Sequence, residues 1–253
     1  MRKSSFWLAF FISFLVINLN LEAAKKIRLR YNLKKGDKAK YNLVINGKTT
    51  VSAMKQQQTT DLLTKMKISQ NVNNVAKNGK ISVQTKILDG SITVNGQTTK
   101  LPAIGQVINM EMLPNGQVVK SEGFDNQQNL SQMQIKFPSR PVGIGDSWKS
   151  KVVPNPALPI PLNIKYAIVG FQKVMGRSCV IIQSTVTTGK NKEEGIDLKV
   201  RAKGKIFFDY NHGIMVKNQV QTKMNMVMSN QIDGKMEKIV TNMEMRLQMY
   251  LLK

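Results

Sequence analysis

Apolar and polar residues alternate with a period of two along most of this chain. That pattern restricts the fold more than any single motif does. In residues 26–33, Ile27, Leu29, Tyr31 and Leu33 fall on one side, and Lys26, Arg28, Arg30 and Asn32 fall on the other. This is the signature of a half-buried strand. The same alternation returns in Ala39, Tyr41, Leu43 and Ile45, in Ile81, Val83, Thr85 and Ile87, in Ile164, Tyr166 and Ile168, and in Ile196, Leu198, Val200 and Ala202. Turn signals punctuate these runs: Gly36-Asp37, Asn46-Gly47, Asn78-Gly79, Asn95-Gly96, Pro114-Asn115-Gly116 and Asn211-His212-Gly213. The expectation is a mainly β chain of antiparallel sheet, one face apolar and one in water.

Two stretches depart from the pattern. Asp125–Lys136 has a capping Asp125 and places Leu130, Met133 and Phe137 at helical spacing, so one short helix is expected there. Pro154–Pro161 holds four prolines in eight residues, which excludes helix and central strand and predicts an extended crossing segment.

The chain reads as two related halves, 24–136 and 137–253, forming either two domains or one continuous domain. Gly36-Asp37 is echoed by Gly145-Asp146, each followed one residue later by an apolar residue and then Lys (Ala39-Lys40 and Trp148-Lys149). Lys80–Gln84 matches Val180–Gln183 in pattern, and Asn115–Lys120 matches His212–Lys217. The order is kept and the spacing drifts by about a loop's length. Gly36, Asp37, Gly145, Asp146 and Trp148 are therefore read as structural turn residues.

An apolar sheet face must be covered. One short helix cannot cover about ten strands, so each half is expected to curl into a half-barrel-like sheet or to pair with the other half. With aromatics at 6%, such a sheet does not fill its own interior, and the space left suits an apolar ligand. The period-two rule puts Met224, Met226 and Met228 on one strand face, and Met243, Met245, Leu247 and Met249 on another. Methionine is flexible and polarisable, so these seven residues are the candidate ligand lining. The same pattern also arises from methionines filling gaps in an ordinary core. The Met-x-Met pairs further suggest soft Cu(I) ligation, although no histidine or cysteine lies nearby in sequence to assist. No metal site is assigned and no cofactor is expected.

The net charge is +23. Spread over the wet face, it favours anionic envelope surfaces and gives a second reading, a structural or adhesive protein. The N-terminus has the plan of a secretory signal: Arg2 and Lys3, an apolar Phe6–Ile17, and a small residue at Ala23. The apolar run is shorter than the roughly 20 residues of a membrane span. A signal peptide of residues 1–23 places the chain in a secreted or periplasmic setting, soluble after cleavage. Nucleic acid is not an expected partner there.

Catalytic signals are poor. The single cysteine, Cys179, lies in an apolar run and reads as core. The single histidine, His212, reads as a turn residue tolerating a left-handed backbone. Asp37 and Asp146 follow glycine in turns, and Glu193-Glu194 reads as a solvated loop. No triad, zinc-ligand or phosphate-loop spacing is present, so an enzyme is not expected.

The segment Phe137–Trp148, with Pro141-Val142, Gly145-Asp146 and Trp148, resembles the "Pro-Val-x-x-Gly-Asp-x-Trp" segment of DUF6263-like exported bacterial proteins of unknown function. Phe207–Lys217 resembles their later "Phe-Asp-x-x-x-Gly" hairpin. In architecture alone, the two-half plan is similar to LolA/LppX-like lipid-binding half-barrels. That resemblance implies binding of lipid or another amphiphile.

Overall fold

The computed structural model describes residues 26–123, 134–154, 160–189, 195–232 and 235–252. The strands are β1 (Lys38–Ala53), β2 (Gln56–Val75), β3 (Ile81–Val94), β4 (Gln97–Lys100), β5 (Val107–Met112), β6 (Val118–Glu122), β7 (Ser147–Val152), β8 (Leu162–Val174), β9 (Arg177–Thr188), β10 (Ile196–Asp209), β11 (Ile214–Ile232) and β12 (Lys235–Leu251). All twelve belong to one antiparallel sheet, ordered β6-β5-β3-β2-β1-β12-β11-β10-β9-β8-β7, with β4 beside β3. The protein is mainly β, and no helix is found among the described residues. Residues 1–25 lie outside the described residues, as do positions 125–133 of the expected helix. Its last three positions, 134–136, are not helical.

The two halves repeat in space. Ahead of β1, Gly36 N–H donates to Val72 O, Val72 N–H donates to Asp37 O, and Lys34 N–H donates to Asp37 Oδ2. Ahead of β7, Gly145 N–H donates to Ile168 O, Ile168 N–H donates to Asp146 O, and Gly143 N–H donates to Asp146 Oδ2. A β-bulge follows at the same place in each copy, at Val72/Asn74 and at Ile168/Gly170. A second pair of bulges falls at Glu111/Met112 and Phe207/Phe208. The strand sets β1-β2-β3-β5-β6 and β7-β8-β9-β10-β11 thus run in the same order across the sheet, and β12 fills the place between β1 and β11.

One face of this sheet is mainly apolar, and the register shows it. Leu43 on β1 faces Met249 on β12 and Met66 on β2. Ile206 on β10 faces Ile182 on β9 and Asn218 on β11. The other face carries Lys65, Lys67, Lys165, Lys199, Arg201, Lys203 and Lys205, all exposed. The packed core occupies the apolar face at the end of the sheet that carries the Gly-Asp turns.

Among the described residues, no second sheet covers that core. Two extended straps do so, residues 26–33 and 134–142, joined by an isolated bridge between Ile27 and Val142. The alternation of residues 26–33 is real, since Leu29 and Tyr31 are buried and Arg28 and Arg30 are exposed. The strap nevertheless joins no ladder, contrary to the strand expected there. It instead bonds to two hairpin turns: Tyr31 N–H donates to Pro114 O at 2.7 Å, and the Asn32 side-chain Nδ2 donates to Asn211 O at 3.2 Å. Tyr31 packs edge-on against Phe208 at 5.4 Å, and Phe137 of the second strap lies 4.7 Å from the same ring.

One turn expectation is corrected. Asn46-Gly47 is no strand end: β1 runs straight through it, pairing Gly47 with Leu62 and Met245. A Cβ at Gly47 would lie 3.4 Å from Glu244 O, so the glycine sits close to a neighbouring backbone. The reversal comes instead at Met54 and Lys55, both with positive φ. Of the expected crossing segment Pro154–Pro161, positions 155–159 lie outside the described residues; on either side of it β7 and β8 pair, Val152 with Leu162.

Candidate functional site

Beneath the first strap, over the first repeat, lies a cavity of about 210 Å³. Its apolar wall comes from alternate residues of neighbouring strands: Tyr41, Ile68, Val83, Met110, Met112 and Met249, with Tyr31 of the strap across from them. Of the seven predicted lining residues, Met249 alone lines this cavity. Of the other methionines of the wall, Met110 and Met112 lie on β5, which the sequence reading did not assign to a ligand site, and Met215 lies at the start of β11, outside the predicted set.

The remaining six lie farther along the same face. Met224 pairs with Met243, and Thr222 with Met245, so the two strands present their methionines side by side. On β10, Val200, Leu198 and Ile196 face Met224, Met226 and Met228 in turn. These residues are only half-buried. Among the described residues, the strands in extensive contact are those adjacent in the sheet, and the straps dock at the opposite end. Among the described residues, the apolar face therefore continues as an open trough beyond its packed core.

At the mouth of the cavity is a charged cluster. Asp209, at the end of β10, has a side chain that is 0% exposed. Its Oδ2 accepts Arg177 Nη1 at 3.1 Å and pairs with His212 Nδ1 at 2.7 Å. Its Oδ1 accepts the backbone N–H groups of Asn211 and His212. Burial works against the charged carboxylate, but the bonds from Arg177 and His212 outweigh it and hold the acid below its ordinary range. Arg177 and His212 both line the cavity. The equivalent position in the first repeat is Leu113, so the fold itself does not require a carboxylate here.

His212 is thus more than a turn residue, and it does not take the left-handed conformation expected of it. Gly213 does, with φ 71°. The sequence carried a weak signal for this cluster, since Asp209 and His212 both sit in the Phe-Asp-x-x-x-Gly segment. Burial and the charge of Asp209 push the Cys179 thiol up to about 11, and Cys179 is fully buried. Among the described residues, no hydroxyl or thiol bonds to the His212 ring.

The Gly-Asp-x-Trp segment is a latch. Gly143 N–H, and then Arg140, hold the Asp146 carboxyl below its usual range. Trp148 Nε1 donates to Lys136 O at 2.9 Å, and its ring stacks on Tyr166 at 5.2 Å. These groups fasten the second strap to β7. One further polar atom stands out in the core: Asn218 Oδ1, opposite Met249, is buried with no hydrogen-bond partner among the described residues.

No family model matches this chain, and no curated protein matches it either. Among solved structures, it is similar to lipovitellin, in a structure described for lipid–protein interactions, with a TM-score of 0.53 and 9% identity over 87% of this chain. The chain spans about a quarter (25%) of that protein's length. At this identity the likeness concerns the fold alone. Lower similarities are found to DynF from the dynemicin biosynthesis pathway of Micromonospora chersina (TM-score 0.22, 10% identity, 89% and 85% of the two chains) and to a DUF1329 family protein from Desulfovibrio piger (TM-score 0.15, 10% identity, 83% and 85%). Neither bears on the fold at those TM-scores.

Proposed function

We propose that this protein is a non-catalytic, exported binder of an apolar or amphiphilic ligand, of lipid class, acting at the cell envelope. The observation that carries this reading is the apolar face that no described residue covers. Half-buried methionines on β11 and β12 continue the inner row that begins with Met249 at the cavity. Leaving such a patch open costs about 25 cal/mol for each Å² that burial would remove from water, and large exposed apolar patches mark interaction sites. The cavity alone is smaller than the roughly 300 Å³ at which small-molecule pockets begin. It takes one end of a ligand, and the trough takes the rest. The sheet architecture shared with lipovitellin supports the reading, as does the resemblance of the two-half plan to lipid-binding half-barrels.

Export rests on the signal-like residues 1–23. The exposed lysines and arginines on the outer face support attraction to anionic envelope polymers. They also support the competing reading of a structural or adhesive protein. The two readings part in salt. Contacts between exposed charges are screened within about 10 Å at 0.1 M, whereas apolar burial persists. The test is uptake of a fluorescent fatty acid by the protein lacking residues 1–23, at low and high salt, for wild type, Met226→Asp and Met245→Asp. Salt-resistant uptake that both substitutions weaken is the expected result. Uptake unchanged in both folded variants would remove the methionine trough from the site.

A further inference from the structure

The mouth of the cavity carries the polar chemistry that its walls lack. Arg177 opens β9 and His212 sits in the β10–β11 turn, yet one carboxylate oxygen of Asp209 holds both. This fixes a guanidinium and an imidazole side by side, with side chains 35% and 66% exposed against 0% for Asp209. The bonds to Asp209 engage Nη1 of the arginine and Nδ1 of the histidine. Nη2, Nε and the ring's Nε2 have no partner among the described residues. A guanidinium fork of this kind matches a carboxylate or a phosphate. Further positive charge surrounds it. Lys38 lines the cavity, and Arg30 and Lys34 line a groove that shares Tyr31, Leu33, Asp37 and His212 with the cavity. The acidic counterweight at the mouth is Asp37, whose Oδ2 accepts Lys34 N–H at 2.7 Å.

We infer, resting on the apolar-ligand reading above, that the mouth of this cavity recognises the oxyanion headgroup, carboxylate or phosphate, of an amphiphile whose chain enters the cavity. Arg177 binds the headgroup through Nη2 and Nε, His212 donates to it from Nε2 in its imidazolium form, and Asp209 positions both. A buried carboxylate is costly unless it is fully paired, and the first repeat manages with Leu113 in its place. The second repeat keeps the acid because it orients the guanidinium and the imidazolium toward the opening.

The test uses three probes of one chain length: oleic acid, oleyl phosphate and oleyl alcohol, each titrated below its micellar range into the protein without residues 1–23. Wild type is expected to bind at least one oxyanion probe about tenfold tighter than the alcohol, the scale of a charge-assisted pair. The stronger of the two oxyanions then identifies the headgroup class. R177Q and H212Q are expected to bring that probe down to the affinity of the alcohol. D209N is expected to do the same and D209E to restore part of the preference, which a merely structural role would not do. Near-UV circular dichroism identifies the folded variants, and H212Q serves alone if R177Q does not fold. Equal binding of all three probes by wild type would overturn the headgroup site while leaving the apolar-ligand reading standing. A preference that survives both R177Q and H212Q would do the same. No binding of any probe would overturn both.

Discussion

Asp209 shows how a single residue's setting departs from what its neighbours in sequence imply. It ends β10 with its side chain fully buried, and its partners are Arg177 of β9 and the Asn211 and His212 groups of the turn that follows. A partner brought in from a neighbouring strand leaves no mark beside Asp209 in the sequence. Replacing it by asparagine leaves Arg177 without its counter-charge, and Arg177 is exposed enough to recover solvation. The expected loss is therefore about 1–3 kcal/mol at neutral pH, read by urea unfolding. The sign of the acid response follows from the lowered pKa of Asp209 in the folded state. The stabilisation is fully present above the ordinary carboxylate range and is lost as pH falls through the depressed folded value. D209N should accordingly show a shallower loss of stability in acid than wild type. Tyr31 permits a second test. Its hydroxyl accepts the N–H of Ile135 at 3.0 Å in the core, so Tyr31→Phe strands a buried donor and should cost about 1–3 kcal/mol. Asn218→Leu removes an orphaned oxygen instead, and should raise the unfolding midpoint.

At the scale of elements, the straps hold the account together. Each strap crosses a hairpin turn whose glycine admits it. A Cβ at Gly213 would lie 2.0 Å from Asn32 N, and one at Gly116 would lie 2.1 Å from Ile135 O, both at positive φ. Gly36 also has positive φ, but a Cβ there meets nothing within 4 Å. Gly36→Ala should therefore cost about 1 kcal/mol, the penalty of the left-handed conformation alone. Gly116→Ala and Gly213→Ala should cost clearly more, because the strap must also move. Equal losses in all three, measured by chemical unfolding, would show that the straps are not seated on these turns. Most strands and most turns were legible in the sequence, because period-two burial and Asn-Gly chemistry are local. Asn95-Gly96, with both residues at positive φ, is a clear case. The misreadings at Asn46-Gly47 and in residues 26–33 share one cause. Whether a glycine reverses the chain or admits a neighbour, and whether an alternating segment finds a ladder, depends on partners far away in sequence.

At the scale of the molecule, the repeat in the sheet was visible in the Gly-Asp echoes, and its central consequence was not. β12 is the added strand that joins first repeat to second, and it has no counterpart in either copy. It carries Met249 to the cavity and Met243 and Met245 along the open trough. The sequence placed those side chains correctly on one face. It could not show that the face runs from the cavity into a surface that no described residue covers, because covering is a property of the straps. An amphiphile is proposed to occupy this continuous apolar surface in the working protein. The most direct test is the intact mass of the protein, purified from its own host without detergent, under native and denaturing conditions. Added mass under native conditions, which disappears on denaturation and extracts into organic solvent, is the expected result. A bare polypeptide mass in both conditions, with no uptake of added fatty acid, would contradict it.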